Sequence, residues 1–111
     1  MLERKLQLIG PKIQYSTQGI HQVVLNKIDL LLINYHEFYL IENKCGHFGI
    51  SLADGRLTDN AIVCSGHGIS FDLVTGKKIN RPYENCDDIK TYPVTEIDEN
   101  LYCCLTQPIQ S

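Results

Sequence analysis

Two cysteine–histidine segments dominate the sequence: Cys45-Gly46-His47 and, after a spacer of sixteen residues, Cys64-Ser65-Gly66-His67. Thiolates are soft anionic ligands and imidazoles are neutral ones, so a site built from two of each suits an iron–sulfur cluster or zinc. A coincidental pattern in a plain β-domain is the third alternative. The repeated pairing on glycine-bearing loops favours a metal or cluster site.

The order of the ligands distinguishes zinc from iron–sulfur chemistry. Zinc modules usually place two cysteines together and two histidines together, whereas each segment here contributes one of each. This order resembles that of the Rieske proteins, whose two loops read C-x-H and C-x-x-H, as they do here. In that family one iron of a 2Fe-2S cluster is held by two thiolates and the other by two imidazoles.

The resemblance extends beyond the ligand segments. The residues that follow the second segment, Gly68-Ile69-Ser70-Phe71-Asp72-Leu73-Val74-Thr75-Gly76-Lys77, are similar to the family's sequence after its second loop, and so is Lys90-Thr91-Tyr92-Pro93-Val94. It implies a single domain over residues 1–111, with an all-β, Rieske-type β-sandwich. A small cluster-binding lobe is expected as loops inserted at about 43–68.

The same resemblance implies the roles of the four ligands. Cys45 and Cys64 are expected to hold the inner iron of one 2Fe-2S cluster per chain, and His47 and His67 the outer iron. Pro82 falls where the family has a proline-bearing loop that covers the cluster, although an ordinary turn explains it equally well.

Departures from the family's high-potential branch predict a low reduction potential. That branch has a disulfide-forming cysteine in each ligand loop, where Ile50 and Gly66 stand here, and hydroxyl donors to sulfur where Ile69 and Phe71 stand. Fewer hydrogen bonds to sulfur stabilise the reduced cluster less. We therefore expect a potential near the lower end of the Rieske range of about −150 to +300 mV.

The residue pattern itself indicates an all-β domain. Short apolar runs rich in branched and aromatic residues alternate with turn signals, and helical periodicity is not evident. The predicted strands are Lys5 to Ile9, His21 to Asn26, Leu30 to Tyr35, Phe38 to Glu42, Ala61 to Cys64, Ser70 to Leu73, Lys77 to Asn80, Thr91 to Ile97 and Leu101 to Leu105.

Composition narrows the function classes. The chain has 111 residues, a formal net charge of −3 and no cluster of Lys and Arg, which disfavours a nucleic-acid partner. Its longest apolar run is Leu101 to Leu105, far short of the roughly 20 residues that cross a bilayer. Met1 to Leu6 lacks the pattern of an export signal, so a cytoplasmic location and reduced thiols are expected for this chain of five cysteines.

The resemblance implies an electron carrier that is not itself an enzyme. A Rieske-type ferredoxin accepts one electron from an NAD(P)H-dependent flavin reductase and passes it to a terminal oxygenase. The length leaves no room for the mononuclear iron domain of a self-contained oxygenase. The alternative is the small Rieske-like subunit of an assimilatory nitrite reductase, and an interaction module without metal is a third possibility.

Other candidate residues receive structural interpretations. His21 and His36 stand without a nearby cysteine, and adjacent Cys103 and Cys104 are expected to pack or to form surface thiols, as is Cys86. Phe48, Ile50 and Ile69 are expected to form an apolar collar around the histidine ligands, with packing inside the loops as the alternative.

Overall fold

The computed structural model describes residues 6–44, 51–65, 68–80 and 87–105. Within these ranges the strands are Gln7–Pro11 (β1), Gly19–Leu25 (β2), Ile28–Tyr35 (β3), Glu37–Glu42 (β4), Arg56–Thr58 (β5), Ala61–Val63 (β6), Ser70–Asp72 (β7), Thr91–Tyr92 (β8), Val94–Ile97 (β9) and Asn100–Cys103 (β10). A short 3-10 helix, Lys12–Tyr15, follows β1. No helix in these described ranges is both long enough and apolar enough to cross a bilayer.

The strands form three antiparallel sheets. Their orders are β1-β10-β9 (sheet I), β2-β3-β4-β8 (sheet II) and β5-β6-β7 (sheet III). The predicted all-β fold class is therefore confirmed.

Sheet II is the middle layer, and the apolar run in β3 explains why. Side chains alternate between the two faces of a strand. Leu30 and Leu32 belong to the core between sheets I and II, whereas Leu31 and Ile33 belong to the core that includes residues of sheet III. All four are fully buried, since this strand is covered on both faces and so needs consecutive apolar residues.

Two-residue turns connect the strands of the β2–β3 and β9–β10 hairpins. Asn26 and Lys27 have φ values of 50° and 64°, and Asp98 and Glu99 have φ values of 49° and 65°. Such left-handed pairs are typical of tight hairpin turns, and Asn and Asp tolerate this backbone conformation well. Asp59 and Asn60 form an equivalent left-handed pair between β5 and β6, with φ values of 41° and 63°.

Several strand predictions differ from the structure. The strand predicted at Lys77 to Asn80 is wrong, because only an isolated bridge joins Lys78 to Phe71. The strand predicted at Thr91 to Ile97 is divided at Pro93, which has no backbone N–H to donate to a sheet. Arg56–Thr58 and the short 3-10 helix were missed, because three or four residues carry too little periodicity to recognise.

Candidate metal centre

Cys64 is the one predicted ligand that lies within the described residues; Cys45, His47 and His67 lie outside them. Cys64 directly follows β6 and is 1% exposed. The register of β6 and β7 pairs Ile62 with Phe71 and Val63 with Ser70. Continued by one residue, this register sets Cys64 opposite Ile69, so its side chain joins the buried face of sheet III.

The turn that begins at Cys64 is closed by backbone hydrogen bonds. The Cys64 nitrogen donates to the Ile69 carbonyl at 2.8 Å, and the Gly68 nitrogen donates to the Cys64 carbonyl at 2.9 Å. Gly68 has a φ of 66°, a conformation that glycine adopts without steric cost. The thiol of Cys64 is therefore attached to a backbone whose position is set by sheet III.

Asn43 lies just before the first ligand segment and hydrogen-bonds to Ser51 and Leu52, which follow it. Its backbone nitrogen donates to the Asp29 carbonyl at 3.0 Å, and its Nδ2 donates to Asp29 Oδ2 at 3.1 Å. Its Oδ1 accepts from the Leu52 backbone nitrogen at 2.9 Å and from Ser51 Oγ at 3.0 Å. The chain thus leaves β4 and returns at residue 51 beside a single buried amide.

Asn80 makes a comparable connection after the second ligand segment. Its Oδ1 accepts from the Ser70 backbone nitrogen at 2.8 Å, and its Nδ2 donates to the Gly68 carbonyl at 3.0 Å. The Ile79 nitrogen also donates to the Ser70 carbonyl at 2.8 Å. These contacts connect Gly68 and Ser70, which follow the second ligand segment, to Ile79 and Asn80.

The surroundings of Cys64 are apolar. Its core cluster includes Leu52, Ile62, Ile69 and Phe71, all fully buried. An isolated thiolate would be costly in such an environment, whereas a thiolate neutralised by a metal is not. The buried sulfur at the end of a closed hairpin therefore fits a cluster ligand, with a hydrophobic shell that limits access of water.

The predicted collar is wrong for Ile69. This side chain is fully buried and packs in the core rather than around an exposed histidine. The reason is its position opposite Cys64 on the inward face of the β6–β7 hairpin, so the alternative of packing within the loop core holds for it. Phe48 and Ile50 lie outside the described residues, as does Pro82.

His21 and His36 have structural contacts. His21 Nε2 lies 2.7 Å from the Thr17 carbonyl, to which it donates, and its ring meets Tyr15 edge-on with centroids 5.5 Å apart. His36 occupies the β3–β4 turn with a φ of 67°. Across the described ranges, His, Cys, Asp and Glu side chains form no group of three or more able to hold a metal ion.

Cys103 and Cys104 are buried, so the packing interpretation is correct and the surface-thiol alternative is wrong for both. Burial raises the pKa of the Cys103 thiol to about 11, and the neighbouring Cys104 adds to this increase. Both cysteines therefore pack as small apolar side chains in the core. Cys86 lies outside the described residues.

Sequence reasoning missed Asn43 and Asn80. The available signal was weak: asparagine is common at strand ends and in turns, where its side chain bonds nearby backbone groups. Their partners at residues 29, 52, 68 and 70 become neighbours only when the strands pair.

Comparison with known proteins identifies relatives over most of the chain. A sequence model described as the Rieske [2Fe-2S] domain matches residues 5–93. The 3-phenylpropionate/cinnamic acid dioxygenase ferredoxin subunit of Photorhabdus laumondii is 40% identical over 81 residues, which cover 71% of this chain and 75% of that protein. The subunit of the same name from Escherichia coli (strain K12) is 44% identical over 59 residues, covering 52% of this chain and 54% of its own length.

A solved structure supports the fold. A chain from the complex of reduced oxygenase and oxidized ferredoxin in carbazole 1,9a-dioxygenase superposes with a TM-score of 0.75 at 21% sequence identity. The match covers 92% of this chain and 94% of that one. At this identity, the likeness concerns the arrangement of strands.

Proposed function

The chain belongs to the Rieske 2Fe-2S domain family, and on that premise we propose that it is a ferredoxin that carries one electron at a time. It is an electron-transfer component rather than an enzyme with its own substrate. The observation that carries this proposal is the 40% identity to a dioxygenase ferredoxin subunit over 71% of the chain.

Four residues hold the cluster in this proposal. Cys45 and Cys64 bind the inner iron through sulfur, and His47 and His67 bind the outer iron through one ring nitrogen each. The support is the C-x-H and C-x-x-H spacing together with the buried position of Cys64. They belong to a single domain spanning residues 1–111, in a lobe at about 43–68.

The bound cluster supplies a reversible one-electron couple, and the protein supplies its surroundings. The β6–β7 hairpin holds the Cys64 backbone in place through the Ile69 and Gly68 hydrogen bonds. The apolar side chains of the Cys64 core keep water from that sulfur, and burial of this kind influences the potential.

The partners follow from the same relatives. An NAD(P)H-dependent flavin reductase reduces the protein, and a terminal oxygenase oxidises it. The relatives named above belong to systems for 3-phenylpropionate and cinnamic acid, so an oxygenase for aromatic acids of this type is the proposed acceptor. The nitrite reductase subunit remains the alternative, but the named relatives are ferredoxins.

We place the protein in the cytoplasm. In the part of the chain that the structure describes, Cys103 is a buried thiol that forms no disulfide, and reduced thiols persist in that compartment. The pyridine-nucleotide-dependent reductase proposed as electron donor also requires a location with NAD(P)H.

The proposed function is tested by reconstituting the electron-transfer chain. The purified protein is mixed with the reductase and oxygenase components of the Escherichia coli 3-phenylpropionate system, NADH, oxygen and 3-phenylpropionate. We expect substrate-dependent NADH consumption and product formation that require this chain. Reduction followed by no transfer to the oxygenase would contradict the proposed acceptor, and a stable complex with a large sirohaem subunit would favour the nitrite reductase alternative.

A further inference from the structure

We propose that Asn43 and Asn80 are positioning residues that hold the two ligand segments in register with the sandwich, and thereby keep the cluster bound. This inference rests on the proposed function. It concerns described residues outside the ligand motifs, each of which links one ligand segment to a part of the chain distant in sequence.

The contacts of Asn43 connect the first segment to the middle sheet. The Asn43 side-chain oxygen accepts hydrogen bonds from the Leu52 backbone nitrogen and the Ser51 hydroxyl. The side-chain nitrogen and the backbone nitrogen of Asn43 both donate to Asp29. Asp29 lies in β3, next to the turn after β2. The separation between the two ends of the segment is therefore set by a side chain that is itself fixed to sheet II.

The contacts of Asn80 act on the other segment. The side-chain amide of Asn80 accepts a hydrogen bond from the Ser70 backbone nitrogen and donates one to the Gly68 carbonyl. Its two partners therefore flank Ile69. Because Ile69 pairs with Cys64 through the backbone, a shift at Gly68 or Ser70 is transmitted to the cysteine. Asn80 consequently limits movement of the second segment along sheet III.

At the margins of the ligand segments these bonds end on the backbone groups of Leu52, Gly68 and Ser70 and on the Ser51 hydroxyl. Their loss is therefore felt first at the ligands. Residues that hydrogen-bond near metal ligands without binding the metal orient those ligands, and their removal typically costs roughly 10- to 100-fold in metal affinity. An asparagine that merely stabilises the fold would instead change the unfolding temperature and leave cluster retention unaffected.

Asn34 provides a matched control. Its Nδ2 donates to the Tyr15 carbonyl at 2.9 Å and to the Ser16 carbonyl at 3.1 Å. It lies in the same strand as Asp29 but five residues further along, which corresponds to about 17 Å in an extended chain. It makes two amide hydrogen bonds to backbone groups, as Asn80 does, at the opposite end of β3.

The experiment compares Asn43→Ala, Asn80→Ala and Asn34→Ala with the wild-type holoprotein, all isolated anaerobically. Three quantities are measured: the rate of iron loss to an excess of the ferrous chelator bathophenanthroline disulfonate, the line width of the reduced-state electron paramagnetic resonance signal, and the thermal-unfolding midpoint. We expect Asn43→Ala and Asn80→Ala to lose iron roughly tenfold faster, with broader lines. Asn34→Ala should lower the midpoint while retaining the wild-type rate and line shape.

Equal iron-loss rates in all four proteins would overturn the proposal, and so would rates that follow the unfolding midpoint alone, with Asn34→Ala as labile as the other two. If Asn80→Ala or Asn34→Ala does not fold, Asn80→Asp and Asn34→Asp are compared instead. Asn80→Asp keeps the acceptor for the Ser70 nitrogen and loses the donor to the Gly68 carbonyl. It should therefore still release iron faster than Asn34→Asp, and equal rates would overturn the proposal. Wild-type protein without a cluster would overturn the proposed function and this inference together, whereas a stable wild-type cluster with unaffected variants overturns this inference alone.

Discussion

Cys64 donates its backbone N–H to the carbonyl of Ile69 at 2.8 Å, and this bond continues the pairing of β6 with β7 by one residue. Because Ile62 and Phe71 form the preceding pair on the same face, the register directs the Cys64 side chain into the core. The buried location of this proposed ligand is therefore a consequence of strand register.

The first prediction concerns Cys64→Ser. The hydroxyl is close to the thiol in size but is a poor ligand for an iron–sulfur cluster, so the variant should fold and retain less than about one hundredth of the wild-type iron, a loss beyond that caused by outer-shell changes. Iron and sulfide assays with far-ultraviolet circular dichroism measure both properties. Cys103→Ala is the control, since Cys103 is buried in the other core and should leave iron content unchanged.

The second prediction concerns the potential. Ile69 and Phe71 offer no hydroxyl to sulfur, so protein-film voltammetry of the wild type should give a value near about −150 mV. Phe71 is the diagonal neighbour of Cys64 across the hairpin, a spacing that aromatic side chains can bridge. Phe71→Tyr should therefore raise the potential by on the order of 60 mV, the shift that a tenfold change in a one-electron equilibrium produces.

The control for that substitution is Phe38→Tyr. Phe38 packs against the other core, where an added hydroxyl has no route to the cluster sulfurs, so its potential should equal that of the wild type. A wild-type potential well above zero would contradict the argument from missing donors. An unchanged potential in Phe71→Tyr would show that the new hydroxyl does not donate to sulfur.

The third prediction concerns Gly76, whose φ is 77°. A Cβ built on this residue would overlap the Ile89 carbonyl oxygen. Gly76→Ala therefore combines a left-handed backbone, which costs about 1–2 kcal/mol, with a steric overlap that costs about 1–3 kcal/mol more. The thermal-unfolding midpoint should fall well below that of the wild type.

Gly19→Ala is the matched control for Gly76. Its φ is also positive, at 136°, but the added Cβ would meet nothing within 4 Å. We expect a smaller fall in the midpoint than for Gly76→Ala. Equal falls would indicate that backbone conformation, rather than contact with Ile89, determines the requirement for glycine.

The fourth prediction concerns alkaline pH. The folded protein holds Cys103 as a neutral thiol with a pKa of about 11, whereas an unfolded thiol titrates near about 8.5. The contribution of the neutral Cys103 thiol to the free energy of unfolding is therefore complete below about pH 8.5 and is lost as the pH rises through 11. By pH 10 the free energy of unfolding should have fallen by about 1–2 kcal/mol. Thermal midpoints at pH 8 and pH 10 should fall less for Cys103→Ala than for the wild type, and equal falls would contradict this assignment.

The sequence predicted the features that depend on local pattern. The strands β3 and β4 were recognised from consecutive branched and aromatic residues. The four-ligand motif stays a prediction from its short spacing, since Cys45, His47 and His67 lie outside the described residues. The cores on both faces of sheet II were not predicted, since which residues of other strands cover β3 depends on long-range pairing.

The supporting contacts of the site were inaccessible for the same reason. Asn43 and Asp29 are separated by 14 residues and meet only after β3 pairs with β4. Ile69 was expected in a collar around the histidine ligands or in packing inside the loops, because its hydrophobicity alone does not reveal which face of the hairpin it occupies. Only the register with Cys64 settles that question.

The most direct test of the account is the electron paramagnetic resonance spectrum of anaerobically isolated, dithionite-reduced wild-type protein, with iron and acid-labile sulfide measured on the same sample. We expect two irons and two sulfides per chain. Because two imidazoles replace two thiolates, we also expect a signal with an average g-value below that of all-thiolate 2Fe-2S clusters. A colourless protein that contains zinc or no metal, and gives no signal on reduction, would contradict it.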